Sequence, residues 1–191
     1  MRALVIILGV AIAFVLGVGS AFLSLRDLTP IDTIESGAWK GWPRAGTEDE
    51  DPYSRARLAR TGELALGPSE GLKLLARSDD TGGDLSGACS YEISGQMPAA
   101  RLWTIAVETA AGGHLPPAER GGRALGSDEI VRKADGTFTI TLAPDPQPGN
   151  WLSSEGAGQI RLAARLYDTT ARTVTALTQF TVPAITPKGC R

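Results

Sequence analysis

Few residues in this chain have the types and spacing that catalysis needs. His114 is the single histidine. That excludes a multi-histidine zinc or iron centre, and a hydrolytic triad would rest on this one residue before Leu115-Pro116-Pro117. Cys89 and Cys190 are the only cysteines; without a CxxC pair they do not read as a redox or nucleophilic site. A glycosidase needs two carboxylates about 5–10 Å apart. Glu92, Glu108, Asp135, Asp145 and Asp168 are available, but the sequence does not pair them. Asp79, Asp80 and Asp84 lack the spacing of an EF-type calcium loop and read as turn residues. Ser36, Ser54 and Ser86 have no nucleophile-elbow context. Ala110-Ala111-Gly112-Gly113 lacks the GK[ST] ending of a phosphate-cradling loop. No catalytic residue, metal ligand or cofactor is indicated.

Two pairs remain as ligand-binding candidates. Asn150-Trp151 follows Pro148-Gly149, and a loop tryptophan beside an amide suits stacking on a ligand. Arg161 and Arg165 project together from one strand face, where they would bind an anionic group or simply solvate the sheet. Trp103 reads as core or rim packing.

The clearest element is N-terminal. From Ala3 to Leu25 the chain is apolar except for Ser20 and Ser24, and the run ends at Arg26-Asp27. As a helix it would be about 34 Å long, enough to cross a hydrocarbon core of about 30 Å. Gly19-Ser20-Ala21 resembles a signal-peptidase exit site, but the apolar run continues through Phe22, Leu23 and Leu25. That favours a retained anchor over a cleaved signal. Gly9, Ala13, Gly17 and Ala21 recur every four residues and form a small-residue face. Such a face suits close packing on a second membrane helix, from another copy or a partner, although glycine and alanine are also simply frequent in such helices. Arg26, Lys40 and Arg44 weakly oppose placing the main domain outside. The short basic N-terminus and the cysteines favour outside.

The chain has 191 residues and a formal net charge of −2, so no nucleic-acid footprint is present. The segments divide as a transmembrane signal-anchor at 3–25, a connection at 26–50 and a β-rich globular domain at 51–191. The 23 glycines and 12 prolines suit many turns and short strands. Paired, Cys89 and Cys190 would close a loop of about 100 residues, worth up to about 3–5 kcal/mol; unpaired, they would be two unrelated thiols.

Asp51-Pro52 predicts a helix start, with a short helix to about Arg60 and Gly62 as its stop. Strands are expected over Leu72–Ala76, Cys89–Ile93, Leu102–Val107, Thr137–Leu142, Gln159–Tyr167 and Phe180–Ile185. In Gln159–Tyr167, Ile160, Leu162, Ala164 and Leu166 alternate with Arg161, Ala163, Arg165 and Tyr167, predicting one buried and one wet face. Ser127 to Lys133 reads as one or two helical turns. The expected fold is mainly β, a sandwich or jelly-roll-like domain with one or two short helices, plus one N-terminal transmembrane helix.

Gly37-Ala38-Trp39-Lys40-Gly41-Trp42-Pro43, Asp51-Pro52-Tyr53-Ser54-Arg55-Ala56 and Arg60-Thr61-Gly62-Glu63-Leu64 resemble the bacterial family of domain of unknown function 1214. So do Leu85-Ser86-Gly87-Ala88-Cys89-Ser90-Tyr91, Pro148-Gly149-Asn150-Trp151-Leu152 and Arg165-Leu166-Tyr167. The likeness covers roughly residues 37–190, in a short single-span form. It implies a jelly-roll-like domain; the signal-anchor pattern and the cysteines are what lead us to expect that domain on the periplasmic side of a bacterial inner membrane. The likeness also implies a partner carrying domain of unknown function 1254, which longer relatives fuse to this one. It supplies no catalytic residues. Two functions follow as expectations: a non-catalytic partner-binding or structural envelope protein, or a glycan- or lipid-binding module or hydrolase with Asn150, Trp151, Arg161 and Arg165 lining its site.

Overall fold

The computed structural model describes residues 2–27, 33–67, 69–169 and 181–190. Helix α1 (Arg2–Asp27) carries the apolar run. Its Arg2–Leu23 segment has a mean hydropathy of 2.7 and is long and apolar enough to cross a membrane. The apolar side chains of this span are exposed, and a Cβ added at Gly9 or Gly17 would meet nothing within 4 Å.

Among the described residues the remainder is a two-sheet sandwich with one short helix. In chain order follow β1 (Ile34–Ser36), β2 (Trp39–Gly41), α2 (Pro52–Thr61), β3 (Gly71–Ala76), β4 (Cys89–Gly95) and β5 (Ala100–Thr109). Then come β6 (Ala124–Gly126), β7 (Phe138–Ala143), β8 (Asn150–Ser153), β9 (Ile160–Thr169) and β10 (Ala184–Cys190). One sheet has the order β1-β2-β3-β9-β5-β6, the other β10-β4-β7-β8. All pairings are antiparallel except β7–β8.

Period-two alternation builds the core. Leu72, Leu74, Trp103, Ile105, Val107, Ile160, Leu162, Ala164 and Leu166 from the larger sheet meet Tyr91, Ile93, Phe138, Ile140, Leu142, Leu152 and Ile185 from the smaller one. Trp39, almost fully buried, donates its Nε1–H to the Pro183 carbonyl at 2.7 Å, tying β2 to the chain entering β10. Trp103 lies in this core with its ring 5.1 Å from that of Phe138. Cys89 and Cys190 face each other across β4 and β10 and form a disulfide.

Helix α2 starts as its sequence dictates. Asp51 Oδ1 accepts from the amides of Tyr53 and Ser54, both at 3.0 Å, and Gly62 closes the helix at φ +65°.

Four expectations change. The 26–50 segment contributes β1 and β2 to the larger sheet, because Gly37 at φ +55° makes a hairpin too short to leave a periodic pattern. Ser127 to Lys133 is turns rather than helix: the Ser127 hydroxyl accepts from the Trp103 amide, and Glu129 accepts from the Gly126 amide. The last strand begins at Ala184, with Pro183 just before it, and Phe180 lies outside the described residues. The second face of β9 is only partly wet: Arg161 and Ala163 are buried, Arg165 and Tyr167 half-buried.

Candidate functional site

The outer face of the larger sheet carries a cluster of charges. Antiparallel register sets Lys73 of β3 beside Arg165 of β9, and Arg161 of β9 beside Glu108 of β5. Arg161 Nε and Nη2 donate to Glu108 Oε2 at 2.9 and 2.7 Å, while Arg165 Nη2 donates to Oε1 at 2.7 Å. Glu108 and Arg161 are 2% and 1% exposed, so this is an interior ion pair on a face that alternation marks as outer. Gly112, at φ +97°, roofs it; a Cβ there would collide with the Arg161 guanidinium.

A fifth group comes from a loop. Just past the Gly62 stop, Glu63 pairs with Lys73 Nζ and lies 3.6 Å from Arg161 Nη2. Lys73 also stands 3.9 Å from Glu108 Oε2. Three cations therefore hold two carboxylates. Beside them lies a small apolar pocket walled by Trp42, Leu58, Leu64, Leu66 and Leu75, with Glu63 and Lys73 on its polar side. Leu75 points away from the main core yet is buried there.

The cluster fixes the state of Glu108. Burial pushes its pKa up, but hydrogen bonds from Arg165 and Arg161 and the charge of Lys73 together hold it below the ordinary glutamate value. It is therefore a carboxylate at neutral pH. A glycosidase acid needs the opposite shift, to keep a proton for the leaving group.

The other nominated carboxylates lie apart. Glu92 pairs with Lys188 at 3.2 Å, and Asp168 with Arg101 at 3.6 Å. Asp135 accepts from the Thr137 hydroxyl and amide within its turn, which lower its pKa. Asp79 does likewise with Thr81 and Gly83, as turn chemistry predicts. His114 is exposed. Among the described residues no group of three potential ligands could hold a metal.

The two ligand-binding pairs do not meet. Asn150 and Trp151 lie on β8 in the smaller sheet, Arg161 and Arg165 on β9 in the larger. The Asn150 amide is occupied: Oδ1 accepts from Val131 N at 2.7 Å, and Nδ2 donates to the Val131 and Thr139 carbonyls. Trp151 donates to the Ala143 carbonyl at 3.1 Å and packs against Gly121, where a Cβ would strike its ring. The arginines are joined by Glu108, Lys73 and Glu63. Glu63 and Lys73 carry no mark in the sequence: one follows a helix stop, and the other interrupts an apolar strand.

Residues 70–171 match the family model described as "Protein of unknown function (DUF1214)". No curated protein matches the chain. The crystal structure of the VPA0106 protein from Vibrio parahaemolyticus superposes with a TM-score of 0.61 at 16% identity, covering 91% of this chain and 43% of that one. An uncharacterised protein from Burkholderia cenocepacia gives a TM-score of 0.43 at 17% identity over 80% of this chain and 35% of its own. The chain thus spans less than half the length of either protein. The Vibrio likeness is one of fold.

Proposed function

The chain belongs to the DUF1214 family, and from that premise we propose that it is a membrane-anchored envelope protein whose sandwich binds a partner without catalysing a reaction. The observation that carries this reading is the internal closure of the charge cluster. Glu108 is ionised and held by two arginines, so it is not poised to transfer a proton. The other buried acids, Glu50 and Asp79, are likewise spent on local bonds, Glu50 accepting from the Ser54 hydroxyl and the Gly46 amide. The apolar α1 supports the anchor, and the Cys89–Cys190 disulfide supports an oxidising compartment, the periplasm. Association runs through the Gly9, Ala13, Gly17 and Ala21 face of α1, with a second copy or with a partner carrying domain of unknown function 1254.

Crosslink-assisted co-purification of the full-length protein from its native membrane tests the proposal. A stoichiometric partner or dimer is expected, lost when Gly9 and Gly17 are both changed to leucine. A protein that purifies alone overturns the partner role. Thiol labelling in intact cells tests the placement: both cysteines should resist maleimide until reductant is added, and labelling without reductant contradicts a periplasmic domain.

A further inference from the structure

We infer that Lys73, Arg161 and the apolar pocket beside them form a binding site for an aliphatic monocarboxylate, and that Glu63 occupies its anion position in this structure. This goes beyond the partner-binding reading and does not depend on it.

The two carboxylates of the cluster are held differently. Glu108 is borne by β5, paired directly with Arg161 near the end of the β5–β9 ladder. Glu63 sits outside the strands, in the stretch between the α2 stop and β3. Its cationic partners, Lys73 and Arg161, stand on adjacent strands. The cations are strand-borne and their present occupant is loop-borne. Exchanging one carboxylate for another keeps a counter-charge against Lys73, whereas a neutral alcohol would leave Lys73 only Glu108, 3.9 Å away.

The pocket supplies the other half. Leu58 of α2, Leu75 of β3 and Trp42 line it on one side, and Glu63 and Leu66 line it from the stretch between α2 and β3. With the loop seated the cavity is about 50 Å³, room for a few water molecules but not for an aliphatic chain. An aliphatic chain enters only when the 63–66 stretch lifts, and lifting it also withdraws the Glu63 carboxylate. Head and tail positions are therefore vacated by one movement.

The test is calorimetric titration of hexanoate into the full-length protein in nanodiscs, with empty nanodiscs as the blank. Glu63→Gln removes the internal competitor and is expected to bind hexanoate about tenfold more tightly than the parent, as for a site open about a tenth of the time. Hexanol, lacking the charge, and acetate, lacking the chain, should bind neither protein measurably. Leu66→Trp added to Glu63→Gln fills the pocket and should abolish binding. Equal affinity of parent and Glu63→Gln, or hexanol matching hexanoate, overturns the inference. A second readout needs no change at Glu63: saturating hexanoate should shift tryptophan emission in the parent but not in Trp42→Phe. An unshifted parent overturns it as well.

Discussion

β9 buries its inner face and the Arg161 end of its outer face by opposite physics. Its inner face, Ile160, Leu162, Ala164 and Leu166, is closed by apolar side chains of the facing sheet, a non-directional contact proportional to area. On its outer face Arg161 is equally buried, but by Glu108, Glu63 and the Gly112 roof, in contacts that depend on charge and on angle. The inner face tolerates graded loss, because a shortened side chain costs what its cavity costs. The outer face does not, because removing one member strands another. Burial alone therefore does not show which side of a strand is core and which is site.

The largest effect should come from Glu108→Ala. It leaves a buried guanidinium without its carboxylate, and denaturant unfolding of the full-length protein should show a loss of about 3–5 kcal/mol. The double change Glu108→Leu with Arg161→Met removes both charges and should recover most of that. If the single change costs under about 1 kcal/mol, the outer face is wet and the contrast fails. Leu162→Ala should cost about 2–5 kcal/mol in the same measurement, and that cost should not change with salt or pH. Gly112→Ala puts a Cβ against Arg161 at a φ that favours glycine, and a loss of about 1–3 kcal/mol is expected in thermal melts; an unchanged melting temperature would mean the roof moves freely. The smallest effect separates the faces by acid. Folded Glu108 holds its proton more weakly than the unfolded residue, so its contribution is present above the unfolded value of about 4.3 and is lost as pH falls through the lower folded value. Leu162→Ala should keep that acid-side loss, and the Glu108→Leu/Arg161→Met pair should flatten it.

The inner face was legible in the sequence because alternation is local: Ile160, Leu162, Ala164 and Leu166 announce themselves within seven residues. So did the start of α2, since Asp51-Pro52 holds its own capping chemistry. The outer face was half legible. Arg161 and Arg165 were visible as a pair, but the partner that buries them lies 53 residues from Arg161, placed there by strand register. Glu63 and Lys73 carry no periodic signal, one following a helix stop and the other interrupting an apolar strand, and an amide and indole such as Asn150 and Trp151 look alike in sequence whether they serve a ligand or the backbone. β1 and β2, three residues each, are shorter than any period the sequence can display.

The disulfide between β4 and β10 also bears on the order in which the sandwich is completed. The joined residues are 101 positions apart, and β10 is the outermost strand beside β4. Until β10 arrives, β4 offers an unpaired edge that the same strand from a neighbouring unfinished molecule would fit equally well. Once Cys89 and Cys190 of one chain have joined, that exchange is closed. The crosslink therefore guards the identity of the strand as well as the stability of the fold, and a Cys190→Ser protein made at high concentration should accumulate strand-swapped dimers.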